Sequence, residues 1–168
     1  MDIVDVETVL LSTQGVEKRG AFKNPELTVL ITRSWIILAP FNQAKLRTIR
    51  LARAADAKAQ GVSRFQQMWY AAQAPFALID SYLGMTLTDV RTEMPSIRVL
   101  GSEEITNAQL LTGSAPARFG PRTAGEPPHK LELETTSGTI SLQIDGHTDP
   151  RELGRLLRNI IGERFRAA

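Results

Sequence analysis

Asp145, His147 and Asp149 recur at every second residue in the segment Asp145-Gly146-His147-Thr148-Asp149, and on a continuing strand they would share one face. Two carboxylates and an imidazole are oxygen and nitrogen donors of the kind that hold a divalent cation. The same residues have a plainer use. Gly146 and Pro150 turn the chain and Asp149 stands where a helix cap belongs, so the segment reads as a turn and no metal is expected. His129 and His147 are the only histidines, and the chain has no cysteine. Neither a G-x-S-x-G nucleophile elbow nor a phosphate-cradling G-x-x-x-x-G-K-[ST] loop occurs. Thiolate catalysis, disulfides and cysteine-ligated metals are excluded, and neither an enzymatic activity nor a cofactor is expected.

A second kind of chemistry is the recognition of charge. Lys45, Arg47, Arg50, Arg53, Lys58 and Arg64 are opposed locally only by Asp56. At helical spacing Arg47, Arg50 and Arg53 project over one broad side, where they could meet lipid headgroups, nucleic-acid phosphates or an acidic partner. A merely solvated helix face would look the same. A net charge of +2 is too small to favour nucleic acid, and Leu46 with Ile49 make too thin an apolar side for deep membrane insertion. Beyond Gly61, the residues Phe65, Met68, Trp69, Ala72, Phe76, Ile79 and Leu83 recur at steps of three and four. Such a stripe must be covered, either by the same subunit, the more common outcome, or by another one. Phe65, Met68, Trp69 and Phe76 are the candidate interface, and Arg47, Arg50 and Arg53 the candidate anion-binding residues.

The elements that must position these residues are well punctuated. Glu7 to Thr13 reads as a first strand, with Gly15, Gly20, Asn24 and Pro25 in the loop after it. Leu27, Val29 and Ile31 point to one side of a strand and Trp35, Ile37 and Ala39 to one side of the next, Thr32-Arg33-Ser34 makes the reversal between them, and both strands read as buried on both faces. A helical insertion over 43–95 follows. It divides at Gly61, with Ser63 as a cap, Pro75 as a kink, and a short helix from Thr88 to Glu93 opened by Thr86. Ile97 to Leu100 and Glu104 to Leu111 are strand candidates. The segment 113–129, rich in glycine and proline, is too poor in large apolar residues to order itself and reads as a mobile loop. Leu131 and Leu133 then alternate with Ile140, Leu142 and Ile144 across Ser137-Gly138, a clear hairpin. The last helix begins at Asp149-Pro150 with Glu152 three residues after the cap. It gathers Leu153, Leu156, Leu157, Ile160 and Ile161 on one side and Arg151, Arg155 and Arg158 on the other.

Two stretches carry a resemblance. Gly15-Val16-Glu17-Lys18-Arg19 leading to Leu27 through Leu38 (LTVLITRSWIIL) resembles a strand pair of the bacterial pleckstrin-homology-like families, including those of GRAM type, and Leu131 to Ile161 resembles their final hairpin and helix. The resemblance implies an α+β fold: an antiparallel sheet or barrel capped by a C-terminal helix, here with a helical insertion that ordinary members lack. Arg33 stands one place earlier than the usual basic residue. Members of this superfold bind phosphoinositides, peptides or copies of themselves, so the fold does not choose among partners.

The remaining expectations are coarse. A chain of 168 residues, 42% hydrophobic and 23% charged, fits one globular domain. Asp2, Asp5 and Glu7 near the start are unlike a signal peptide, no apolar run is long enough to span a bilayer, and the lack of cysteine fits a reducing cytoplasm. The leading expectation is a non-catalytic protein-interaction or self-assembly module acting through the insertion. The alternative is a domain that binds anionic membranes or phosphoinositides through its basic side.

Overall fold

The computed structural model describes residues 6–113 and 127–168. Strands β1 (Leu11–Glu17), β2 (Glu26–Ile31) and β3 (Ile36–Pro40) come first. Helices α1 (Gln43–Ala59), α2 (Arg64–Ala72), α3 (Ala74–Asp80) and α4 (Leu87–Glu93) form the insertion. Strands β4 (Arg98–Leu100), β5 (Ile105–Leu111), β6 (His129–Thr135) and β7 (Gly138–Ile144) follow, then helix α5 (Pro150–Ile161), a 3-10 turn at Gly162–Arg164 and a short strand β8 (Phe165–Ala167). The strands form one curled sheet in the order β4-β3-β2-β1-β7-β6-β5-β8, with β8 parallel to β5 and every other pair antiparallel. This is the pleckstrin-homology-like α+β architecture: a half-barrel capped by a C-terminal helix, with a helical segment inserted between β3 and β4.

Two hydrophobic cores lie on opposite faces of the sheet, and the alternation of β2 and β3 assigns their side chains. Leu27, Val29, Ile31, Ile36 and Leu38 point to the face covered by Leu153, Leu156, Leu157, Ile160 and Ile161 of α5. Leu30, Ile37 and Ala39 point the other way, to Leu46 of α1, Ala74 and Leu78 of α3, Tyr82, and Leu87 and Val90 of α4. Burial of both strands on both faces follows from this arrangement, as their unbroken apolar runs predict.

Several expectations shift. The first strand runs over Leu11–Glu17 and not Glu7–Thr13, so Gly15 lies within the strand. A Cβ there would stand 3.0 Å from Val29 Cγ2, so the position needs glycine for close strand packing, not for a turn. Glu7 instead accepts hydrogen bonds from the hydroxyls of Thr32 and Ser34 and from the Ser34 amide, pinning the β2–β3 turn. Helix α5 takes its cap as predicted, Asp149 accepting from the Arg151 amide, but Glu152 pairs with Arg155 and does not complete a capping box. The capping boxes belong to α2, through Ser63 and Gln66, and to α4, through Thr86 and Asp89. Most of the loop expected over 113–129 lies outside the described residues, and His129 already belongs to β6.

Candidate functional site

The insertion is built around a buried tether. Tyr82 donates its phenolic hydrogen to Glu93 at 2.9 Å, Lys45 pairs with the same carboxylate at 2.8 Å, and the Lys45 ammonium sits 4.6 Å from the centre of the Tyr82 ring. Burial together with the Glu93 carboxylate pushes the Tyr82 hydroxyl well above its ordinary pKa. This network joins the start of α1 to the end of α4, and it removes Lys45 from the set of free cations. Beside it, an open depression of about 260 Å³ is lined by Phe41, Asn42, Gln43, Glu93 and Met94 among others.

Helix α2 has no buried residue. Phe65, Met68, Trp69 and Ala72, at steps of three and four, share one face, and that face is turned to solvent. Phe65 is 78% exposed, Met68 71% and Trp69 56%. The inward side is polar and small: half-buried Gln67 donates to the carbonyl of Val62, and Ala71 is half-buried beside it. Among the described residues, then, the same subunit does not cover the α2 part of the stripe, contrary to the more common outcome expected for it. The helix breaks at Gln73, and α3 begins anew with Pro75 in its first turn, so the stripe is not one continuous face. Ile79 is buried, whereas Phe76 is partly exposed and meets the ring of His147.

Arg47 and Arg50 lie exposed on α1, and Arg53 is half-buried. Among the described residues Arg47, Arg50, Arg53, Lys58 and Arg64 make no ion pair or side-chain hydrogen bond. No acidic residue stands between Asp56 and Asp80. Helix α1 thus exposes unneutralised cations, and α2, packed against it, exposes Arg64 and the aromatic rings.

No family model and no curated protein matches the sequence. Among the solved structures that match is the hSac2 domain from human phosphoinositide phosphatase Sac2, at 8% identity and a TM-score of 0.40, covering 98% of this chain and 77% of that one. So loose a likeness adds nothing to the surface chemistry.

The β1–β2 loop is a feature that the sequence reading passed over. Phe22 is 98% exposed there, with Lys18, Arg19 and Lys23 around it. Its signal was present: a large aromatic between Gly20 and Pro25 sits in a loop, and loops run over the surface. At the base of this loop the buried carboxylate of Glu17 holds both Arg19 and Arg98.

The segment Asp145 to Asp149 is a built turn. The backbone amide and ring Nδ1 of His147 both donate to Asp145 Oδ1, at 3.0 and 2.9 Å, and Asp149 faces the amides of α5. Among the described residues no three histidine, aspartate or glutamate side chains are grouped to hold a metal ion. His129 is buried, its Nδ1 accepting from the Gly113 amide at 3.1 Å while Nε2–H donates to the Thr148 carbonyl at 3.0 Å. Both imidazoles are occupied in holding loops. No helix among the described residues is long and apolar enough to cross a membrane.

Proposed function

We propose that this chain is a non-catalytic module that binds the surface of anionic membranes through its helical insertion. The observation that carries the reading is that two helices packed on each other expose both kinds of group, Arg47, Arg50 and Lys58 on α1 and Arg64, Phe65, Met68 and Trp69 on α2, with no partner for these cations among the described residues. Aromatic side chains favour the headgroup level of a bilayer, and arginine can lay its stem along apolar surface while its charge stays wet. Each Lys or Arg held near an anionic surface contributes about 1 kcal/mol, and each large apolar side chain fully removed from water roughly 1.5–3 kcal/mol. The exposed Phe22 among Lys18, Arg19 and Lys23 has the same composition and supports the same class of partner. A cytoplasmic setting agrees with the reading, since that leaflet carries the anionic lipids.

Self-association through the same face would bring two like-charged surfaces together, which opposes it. The structural employment of His129 and His147 supports a module without catalysis.

Co-sedimentation with vesicles tests the reading. Binding is expected to phosphatidylserine-containing vesicles and not to pure phosphatidylcholine, and it should weaken as salt is raised. Equal, negligible binding to both would remove the membrane reading. A stable oligomer in vesicle-free buffer, reduced to a monomer by Trp69→Ala, would replace it with self-assembly.

A further inference from the structure

We infer that α2 lies in the plane of the bilayer as an interfacial wedge, and that the insertion reads the charge and packing of an anionic membrane, not the stereochemistry of a particular headgroup. This inference rests on the membrane reading above and specifies its ligand: any loosely packed anionic bilayer. Three observations carry it.

First, α2 is inverted. An amphipathic helix on a globular protein normally turns its apolar stripe toward the core, whereas here Phe65, Met68, Trp69 and Ala72 face out and Gln67 faces in. A helix set this way presents its apolar face parallel to its axis, which suits a helix lying along a surface at headgroup depth. Second, α2 has the attachments such an element needs. It starts from its own Ser63–Gln66 capping box just after Gly61, which has φ of 67°, and it stops at Gln73 before Pro75, so its ends are defined without help from burial. Third, the cations around it are not fixed. Arg47, Arg50, Lys58 and Arg64 are exposed and have no pairing among the described residues, so no supporting contact there holds a guanidinium or ammonium in one geometry. Discrimination between headgroups of similar charge requires polar groups held in one geometry by supporting contacts. Cations without supporting contacts sum charge and do not measure shape. The depression beside α1 offers no alternative, since Glu93 is the charged residue of its lining.

The test uses the intact chain, its own Trp69, and vesicles matched in surface potential. One set carries phosphatidylserine, one carries a phosphatidylinositol bisphosphate, and each is prepared at small and large diameter. The Trp69 signal is taken as the difference between wild type and Trp69→Phe, a substitution at an exposed position that keeps a ring there. The expected result is an emission shift to the blue on both lipids, affinities within about threefold of each other, tighter binding to the smaller vesicles, and no displacement by soluble inositol hexakisphosphate. A preference above about tenfold for the phosphoinositide, or displacement by the soluble headgroup, would overturn the inference and leave the membrane reading standing. That result would move recognition to the β1–β2 loop, where Glu17 does hold Arg19 and Arg98 in place. Vesicle binding without any change at Trp69 would overturn it equally. No binding to either anionic vesicle would remove the inference together with the reading beneath it.

Discussion

Phe76 meets His147 edge to face, with ring centres 5.7 Å apart and planes at 78°. The first residue belongs to the insertion and the second to the turn that opens into α5, so this contact ties the added helices to the half-barrel. It also separates Phe76 from Phe65, Met68 and Trp69, which have no such ring partner among the described residues and carry the proposed membrane contact. One aromatic stripe in the sequence is thus divided in the fold between a ring packed on His147 and three exposed side chains.

Charge removal gives the most direct test of the surface. Changing Arg47 and Arg50 together to Gln should cost about 2 kcal/mol of binding to anionic vesicles, on the order of thirtyfold in affinity, and flatten its salt dependence. The measurement is vesicle co-sedimentation at two ionic strengths, with circular dichroism confirming an unchanged fold.

Trp69 and Leu78 should separate contact from core. Trp69→Ala removes an exposed ring and should change stability by less than about 0.5 kcal/mol. Leu78→Ala opens a cavity between α3 and the sheet face opposite α5, where Leu78 is wholly buried, and should cost about 2–5 kcal/mol. Urea unfolding midpoints of the two variants decide whether α2 is truly uncovered.

Asp149→Ala should destabilise the chain by about 0.5–2 kcal/mol, because its Oδ1 accepts from the Arg151 amide at 2.9 Å and satisfies a free donor at the start of α5. His147→Ala should leave α5 intact and instead loosen α3, since it deletes the ring against which Phe76 rests. Amide exchange over 74–80 against 150–161 reads the difference.

Glu17 makes stability depend on pH. Burial alone would raise its pKa, but hydrogen bonds from Arg19 and Arg98 and the positive charge of both outweigh burial and hold it below the ordinary value of 4.5. The unfolded chain therefore binds this proton more readily than the folded one, so the contribution is full above about pH 4.5–5 and is lost as pH falls toward the folded-state value. Chemical unfolding at a series of acid pH values should show a steeper loss for wild type than for Glu17→Gln. Equal slopes would mean that the two arginines do not favour the ionised carboxylate.

The parts of the fold that were legible in the sequence are those governed by local rules. The Ser137-Gly138 hairpin, the Asp149-Pro150 helix start and the Ser63 and Thr86 caps each rest on a few adjacent residues whose backbone needs are specific. The two-sided burial of β2 and β3 was legible because their apolar runs lack alternation. The end of β1 was misplaced because Gly15 ordinarily signals a turn, and its packing against Val29 depends on the neighbouring strand β2. For α2 the spacing of Phe65, Met68 and Trp69 says which residues share a face and is silent on where that face points. The sheet face opposite α5 had already been covered by Leu46, Ala74, Leu78, Tyr82, Leu87 and Val90, which left no apolar surface for α2 to occupy. The exposed cations were legible as a set, but the engagement of Lys45 with Glu93 and Tyr82 required the fold.

The two-sided burial of β2 and β3 makes the helices between β3 and β4 unequal in what they permit. Excising the whole stretch would expose Leu30, Ile37 and Ala39 as a bare apolar sheet, a surface prone to self-adhesion. Excising α2 alone, by joining Gln60 to Gln73 with a short flexible segment, removes no buried side chain. That helix is therefore the exchangeable cassette of the chain: its sequence can be rewritten, and its target changed, while the scaffold beneath it keeps its cover.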